Sequence, residues 1–332
     1  MWHGLQYIPC IVVQPHILQL LHIFLLFLHS KNMWGVQQIF AQGTLGDMVQ
    51  GTKTMGIPIL KCRYNDHGVH EAISDPFFTN IFLWYRSDGA IFREGMTDSQ
   101  IEQEYIETYN YAEYLLKTFN GTNKRFYLGH WEGDWYLLPG MNATIDADPI
   151  RVAGMTQWLN VRQRAIEKAR NDIPSTAKLY HYVEMNRTFD AYSQGMKRLV
   201  NTVLPLVTVD YVSVSSYDIQ ERSKEVIEDV IQYIERNANF SEGYPIYESR
   251  RVFIGEFGLP SIRFDYNDEK HCEENIKVFE KYESLKLPFI LYWNFFNNES
   301  DNSGRPKGFW VVDDRGKPTR LFYKLQTKYM NL

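Results

Sequence analysis

The chain has 332 residues, 44% of them hydrophobic, 15% aromatic and 23% charged, with a net charge of −5 at neutral pH. That much apolar surface excludes a disordered chain. Three cysteines and the lack of a heptad run exclude a disulfide scaffold and a coiled coil, and the negative charge argues against a nucleic-acid surface. The 8 Trp and 22 Tyr fit either a large aromatic core or a cleft that stacks sugar rings.

Residues 1–34 read as an apolar N-terminal segment and residues 35–332 as one catalytic domain. The run Ile17 to Leu28 is shorter than the ~20 residues of a membrane helix, so no stable span is expected. It has the length of a signal-peptide core, although no Lys or Arg precedes it. A buried first helix is the other reading. Asn120, Asn142, Asn186, Asn239 and Asn298 each begin an Asn-x-Ser/Thr triplet, which favours a secreted glycoprotein over a cytoplasmic chain. Cys10, Cys62 and Cys272 lack metal-site spacing and are expected to be buried free thiols.

A first strand is predicted over Val36 to Ala41, then Ile57 to Cys62 ending at Arg63, then Asn80 to Tyr85. Thr97 and Gln100 form a capping box for a helix whose inward face is Tyr105, Tyr109, Ala112, Leu116 and Phe119. The strand Arg125 to Gly129 leads into His130-Trp-Glu-Gly-Asp-Trp135. Asp148 caps a long helix with Pro149 at its first position, burying Met155, Trp158, Leu159 and Ile166. Further strands are Lys178 to Val183, Asp210 to Val214, Arg251 to Gly255 and Pro288 to Tyr292. Helices are expected over Tyr192 to Val203, around Val226 to Ile234, over Glu269 to Ser284 and over Arg320 to Tyr329.

Eight alternating β and α units in about 300 residues predict a single (β/α)8 TIM barrel. A doubly wound sheet is the alternative, but no G-x-G-x-x-G or G-x-x-x-x-G-K-[ST] follows any strand. A barrel collects its chemistry at the carboxyl ends of its strands. Those ends carry Arg63, His130/Glu132/Asp134, Glu184, Ser215/Tyr217/Asp218, Glu256 and Trp293/Asn294. Glu256 lies between glycines in Gly255-Glu-Phe-Gly258. Glu132 and Glu256, on separate strands, suit glycosidic cleavage: one protonates the leaving oxygen while the other attacks or activates water. Asp134 competes with Glu132 as the acid; Glu132 is preferred because Gly133 should end the strand. Glu184 reads as a sugar-hydroxyl ligand or as a salt-bridge partner of Arg187 or Arg63. His130 and His181 read as wall residues, and Trp131 and Trp135 as cleft or core.

The alternation, the IGEFG strand, PFILYWNFF and the turn GFWVVDDRGKPTRLFYKL resemble clan A of the glycoside hydrolases, retaining barrels that include the cellulase-like family 5. The likeness covers about residues 36–330. It implies that Glu256 is the nucleophile and Glu132 the acid/base. Tyr217 would hydrogen-bond the nucleophile, Trp293 would floor the sugar subsite, and Arg63 would hold the nucleophile ionised. His130, Trp131, Asp134, Glu184 and Asn294 would line the substrate site. The implied partner is an oligo- or polysaccharide, bound by a monomer without cofactor or metal. Trp131 stands where the group has Asn before the acid/base, and Ser215 stands for the usual His. These departures point to a divergent member outside family 5, close to uncharacterised hydrolase-like barrels. Two rival functions remain: a non-catalytic barrel that binds carbohydrate or protein, and a metal-dependent hydrolase using His130, Glu132, Asp134, His181, Asp218 and Glu256.

Overall fold

A computed structural model describes residues 34–37, 43–87, 89–246 and 249–330. Its strands are β1 (Trp34–Val36), β2 (Ile59–Arg63), β3 (Asn80–Trp84), β4 (Arg125–Gly129), β5 (Lys178–Met185), β6 (Tyr211–Ser215), β7 (Val252–Phe257) and β8 (Ile290–Tyr292). Helices alternate with them: α1 (Leu45–Thr54), α2 (Val69–Ser74), α3 (Asp98–Thr118), α4 (Gly133–Leu137), α5 (Pro149–Asp172), α6 (Thr188–Gln194), α7 (Leu199–Thr202), α8 (Lys224–Asn237), α9 (Asp268–Glu283) and α10 (Arg320–Met330). A short parallel pair, Thr208–Val209 with Asn239–Phe240, lies outside the main sheet.

All eight strands are parallel, in the order β1-β8-β7-β6-β5-β4-β3-β2. The edges β1 and β2 meet at Gly35, where a Cβ would lie 2.8 Å from Ile59 Cγ2 and 2.7 Å from Leu291 Cδ2. Glycine is what lets this seam close. The result is the expected single (β/α)8 barrel.

The helix signals act as predicted at two ends. Thr97 and Gln100 form a reciprocal capping box on α3. Asp148 accepts from the amides of Ile150 and Arg151 at the start of α5. Met155, Trp158, Leu159 and Ile166 are buried as expected.

Four expectations change. The first strand is Trp34–Val36; residues 38–41 of the predicted strand, the run Ile17 to Leu28 and Cys10 lie outside the described residues. The helix expected over Tyr192 to Val203 is broken into α6 and α7, because Gly195 takes a left-handed φ of 69° and ends α6. The face of α3 is rotated: Tyr105 and Tyr109 are half-buried while Glu104 and Thr108 are buried beside Ala112. Glu104 turns inward because Arg162 on α5 meets it, Nε to Oε1 at 2.6 Å. β4 stops at Gly129, so Gly133 opens α4 rather than ending a strand.

The barrel interior has two distinct layers. Rings of Phe82, Tyr127, Tyr180, Tyr211, Phe253 and Phe289 pack against one another across the lower half. The charged residues of the site lie above them. Cys62 and Cys272 are buried free thiols. No helix among the described residues is long and apolar enough to cross a membrane.

Candidate active site

Two carboxylates, Glu184 from β5 and Glu256 from β7, meet one buried ammonium, Lys61 from β2. Period-two alternation puts Lys61 on the inward face of β2, where the barrel interior would otherwise take an apolar side chain. Its Nζ lies 2.9 Å from Glu184 Oε2, 3.1 Å from the carbonyl of Gly255 and 3.7 Å from Glu256 Oε1. Glu184, inside β5, also accepts from Ser213 Oγ at 2.8 Å and, through Oε1, from the amide of Glu132 at 3.3 Å. Gly255 leaves room for this cluster, since a Cβ there would fall 1.8 Å from Ser213 Oγ and 2.8 Å from Glu184 Oε2.

Glu256, on β7, is 2% exposed. Tyr217 donates its hydroxyl to Oε2 at 3.2 Å, as expected. Glu132, between β4 and α4, is 7% exposed. Its Oε2 accepts from Trp135 Nε1 at 2.7 Å and from Asn186 Nδ2 at 3.5 Å. Burial and then the charge of Glu184 push Glu132 up to about 8. Burial and Glu184 push Glu256 upward too, while Lys61 and the Tyr217 hydroxyl pull it down. The two carboxyls therefore titrate together and hold a proton near neutrality. Among the described residues no cation lies within salt-bridge distance of Glu132, whereas Glu256 faces Lys61, which favours the anion there.

Both carboxyl groups line one cleft of about 700 Å³. Trp84, Trp131, Trp135, Trp293 and Phe309 supply its aromatic walls; Asn186, Arg187, Tyr217, Asp218, Asn298 and Glu299 supply polar ones. The Trp84 and Trp293 rings lie 6.0 Å apart and 31° from coplanar.

The other candidates divide. Trp131, Tyr217 and Trp293 line the cleft as expected. Arg63 does not reach it: its side chain is 48% exposed and binds Asp66, Nε to Oδ1 at 2.8 Å. Lys61, two residues earlier on the same face, takes the place expected for Arg63. Glu184 pairs with neither Arg187 nor Arg63 but with Lys61, and lies beneath the cleft. Asp134 is a clamp, its carboxylate accepting from the amides of Asn186, Arg187 and Leu199 at 2.8–3.0 Å. His130 packs on Trp158, its Nδ1 2.9 Å from the Trp131 carbonyl, and burial lowers it to about 3. His181 meets Gln163 on α5. Asn294 is fully buried and outside the cleft lining, its Oδ1 accepting from the Phe295 amide. Among the described residues no group of three or more His, Cys, Asp or Glu side chains is placed to hold a metal ion.

The sequence reading missed Lys61, Trp84 and Asn186 as parts of this centre; Asp218, read as a strand-end residue and as a ligand in the metal-dependent alternative, lines the cleft. Lys61 sits inside an apolar run, and Asn186 follows Glu184 by one strand period, so alternation alone pointed to both. Asn186 is also buried beside Glu132, which sets it apart from the exposed triplets at Asn120, Asn142 and Asn239.

No family model matches the sequence, and no curated protein matches it. Solved structures do. A Bacteroides uniformis β-glucuronidase 2, covalently bound to cyclophellitol-6-carboxylate aziridine, aligns with TM-score 0.59 and 10% identity over 90% of this chain and 35% of that one. A GH2 β-galacturonidase from Eisenbergiella tayi gives TM-score 0.54 and 9% identity over 90% of this chain and 50% of that one. A family 39 glycoside hydrolase from Bacteroides cellulosilyticus gives 0.53 and 10% over 90% and 64%. This chain thus spans less than two thirds of each. At such identities the likeness is one of fold: this chain is similar to the barrels of glycoside hydrolases of families 2 and 39.

Proposed function

We propose that the protein is a glycosidase that cleaves O-glycosidic bonds with retention, using Glu132 and Glu256. One observation carries the reading: two buried carboxyl groups, from the ends of β4 and β7, enter the same aromatic-walled cleft with different partners. The fold shared with known glycoside hydrolases supports it as analogy.

Glu132 carries the proton, because burial and Glu184 raise its affinity for it. It protonates the leaving oxygen as the glycosidic bond breaks. Glu256, with Lys61 and Tyr217 favouring its anion, attacks the anomeric carbon and forms a glycosyl ester. Glu132, now ionised, takes a proton from water. That water attacks the same carbon and releases Glu256. Two displacements return the original anomeric configuration. Trp293 and the facing Trp84 supply flat apolar surface for the sugar.

The test is reducing-sugar release from β-linked oligo- and polysaccharides. Glu132→Gln and Glu256→Gln are expected to lower turnover by about 10²–10⁴-fold, with no effect of chelator on wild type. Unchanged turnover in Glu256→Gln overturns the assignment. Loss with chelator favours a metal-dependent hydrolase, and sugar binding without turnover favours a binding barrel.

A further inference from the structure

Asp218, in the turn after β6, has no part in the chemistry above, yet it lines the cleft with Glu132 and Glu256. Its Oδ2 is fixed by the amide of Phe189 at 2.8 Å, at the start of α6. Its Oδ1 is buried and accepts no hydrogen bond from the protein. The same holds for Asn186 Oδ1, whose amide is oriented by its Nδ2 contact with Glu132. Two buried donors without partners, the indole N–H groups of Trp84 and Trp293, line the same space.

A buried polar atom left unpaired is costly, so such a set points to a ligand that completes it. The ligand must donate to Asp218 and Asn186 and accept from the indoles. A hydroxyl does both; a carboxylate only accepts. Charge points the same way. Of the four carboxyl residues that line the cleft, Glu132 is the proton carrier, and Asp218, Glu256 and Glu299 remain against one cation, Arg187. Arg187 is already engaged twice by Asp190, through Nε at 2.8 Å and NH2 at 2.7 Å. Lys61 lies below, committed to Glu184.

We propose that the cleft takes a neutral sugar, that Asp218 accepts a hydrogen bond from one of its hydroxyls, and that Asp218 keeps acidic sugars out. The inference rests on the cleft being a sugar site. It separates this chain from the solved uronidases that share its fold. Asp218 acts here as a specificity residue through direct contact with the ligand.

The test is direct binding, which does not require turnover. Burial pushes the Asp218 carboxyl up to about 7, so wild-type protein is titrated at about pH 8, where that carboxyl is mostly ionised, with matched methyl β-glycosides: glucoside against glucuronide, and galactoside against galacturonide. The neutral member of the better-bound pair should bind at least ten-fold tighter than its acid partner. Asp218→Asn removes the charge and keeps the shape. It should narrow the gap to three-fold or less, and Asp218→Ala should also weaken the neutral sugar. Thermal melting of both variants identifies any loss of fold, and the Asn variant keeps an acceptor for the Phe189 amide. A uronoside bound as tightly as its neutral partner, an unchanged gap in folded Asp218→Asn, or no binding of any member overturns the proposal. Neutral binding with no hydrolysis would instead sustain it and remove the glycosidase reading.

Discussion

The lower and upper halves of the barrel interior are built from the same eight strands and differ completely in chemistry. Below, Phe82, Tyr127, Tyr180, Tyr211, Phe253 and Phe289 fill the space ring against ring. Above them, β2 places Lys61, β5 places Glu184 and β6 places Ser213, all fully buried and joined to one another. The first layer gains its stability from apolar area and can tolerate other apolar fillings. The second is a charge cluster whose members depend on one another, because an unpaired buried charge is costly. Apolar residues of similar volume would serve stability as well or better, so the cluster is a sign of function.

That contrast can be broken first at Lys61. Lys61→Met should leave Glu184 and Glu256 without their ammonium and destabilise the fold by about 3–5 kcal/mol, read by denaturant titration. The proposed glycosidase activity should fall with it even at temperatures where the variant stays folded. A variant with wild-type activity would show that Lys61 is only structural. In the lower layer, Phe253→Ala should cost a similar ~3–5 kcal/mol through lost area and a cavity. Its pH profile and KM should stay at the wild-type values at low temperature, where enough protein is folded.

A smaller effect separates the layers by pH. Burial and the charge of Glu184 raise the folded Glu132 carboxyl from its ordinary 4.5 to about 8. Between those values the folded chain keeps a proton that the unfolded chain releases. Stability from this group is therefore complete below about 4.5 and is lost as pH rises through about 8. The melting temperature should drop from pH 5 to pH 8 in wild type, and the drop should shrink in Glu132→Gln. Phe253→Ala should keep the wild-type slope. Equal slopes in wild type and Glu132→Gln would contradict the raised value.

The two layers were not equally legible in the sequence. The alternation of eight β/α units, the Thr97–Gln100 box and the Asp148–Pro149 helix start follow from local chemistry; the box and the helix start formed where their residues say, while the first strand and the helix after β5 moved. Glu132, Glu256, Tyr217 and Trp293 could be found because strand ends collect function. Lys61 could not be found by that rule, since it lies inside β2 and one alternation below the rim. Arg63, at the rim, turns instead to Asp66 three residues on. Glu104 and Arg162 were hidden for a related reason: each charge looks solvent-facing until the other helix is packed against it. Partners distant in sequence decide burial, and periodicity within one element does not contain them.

The most direct measurement is covalent trapping. The 2-deoxy-2-fluoro aryl glycoside of the best neutral substrate would be incubated with wild type and with Glu256→Gln, followed by peptide mass mapping. A retaining mechanism with Glu256 as nucleophile predicts one added fluoroglycosyl group on the peptide containing Glu256 in wild type, and none in the variant. A label on another carboxylate, or turnover of the parent substrate with no label at all, would contradict it.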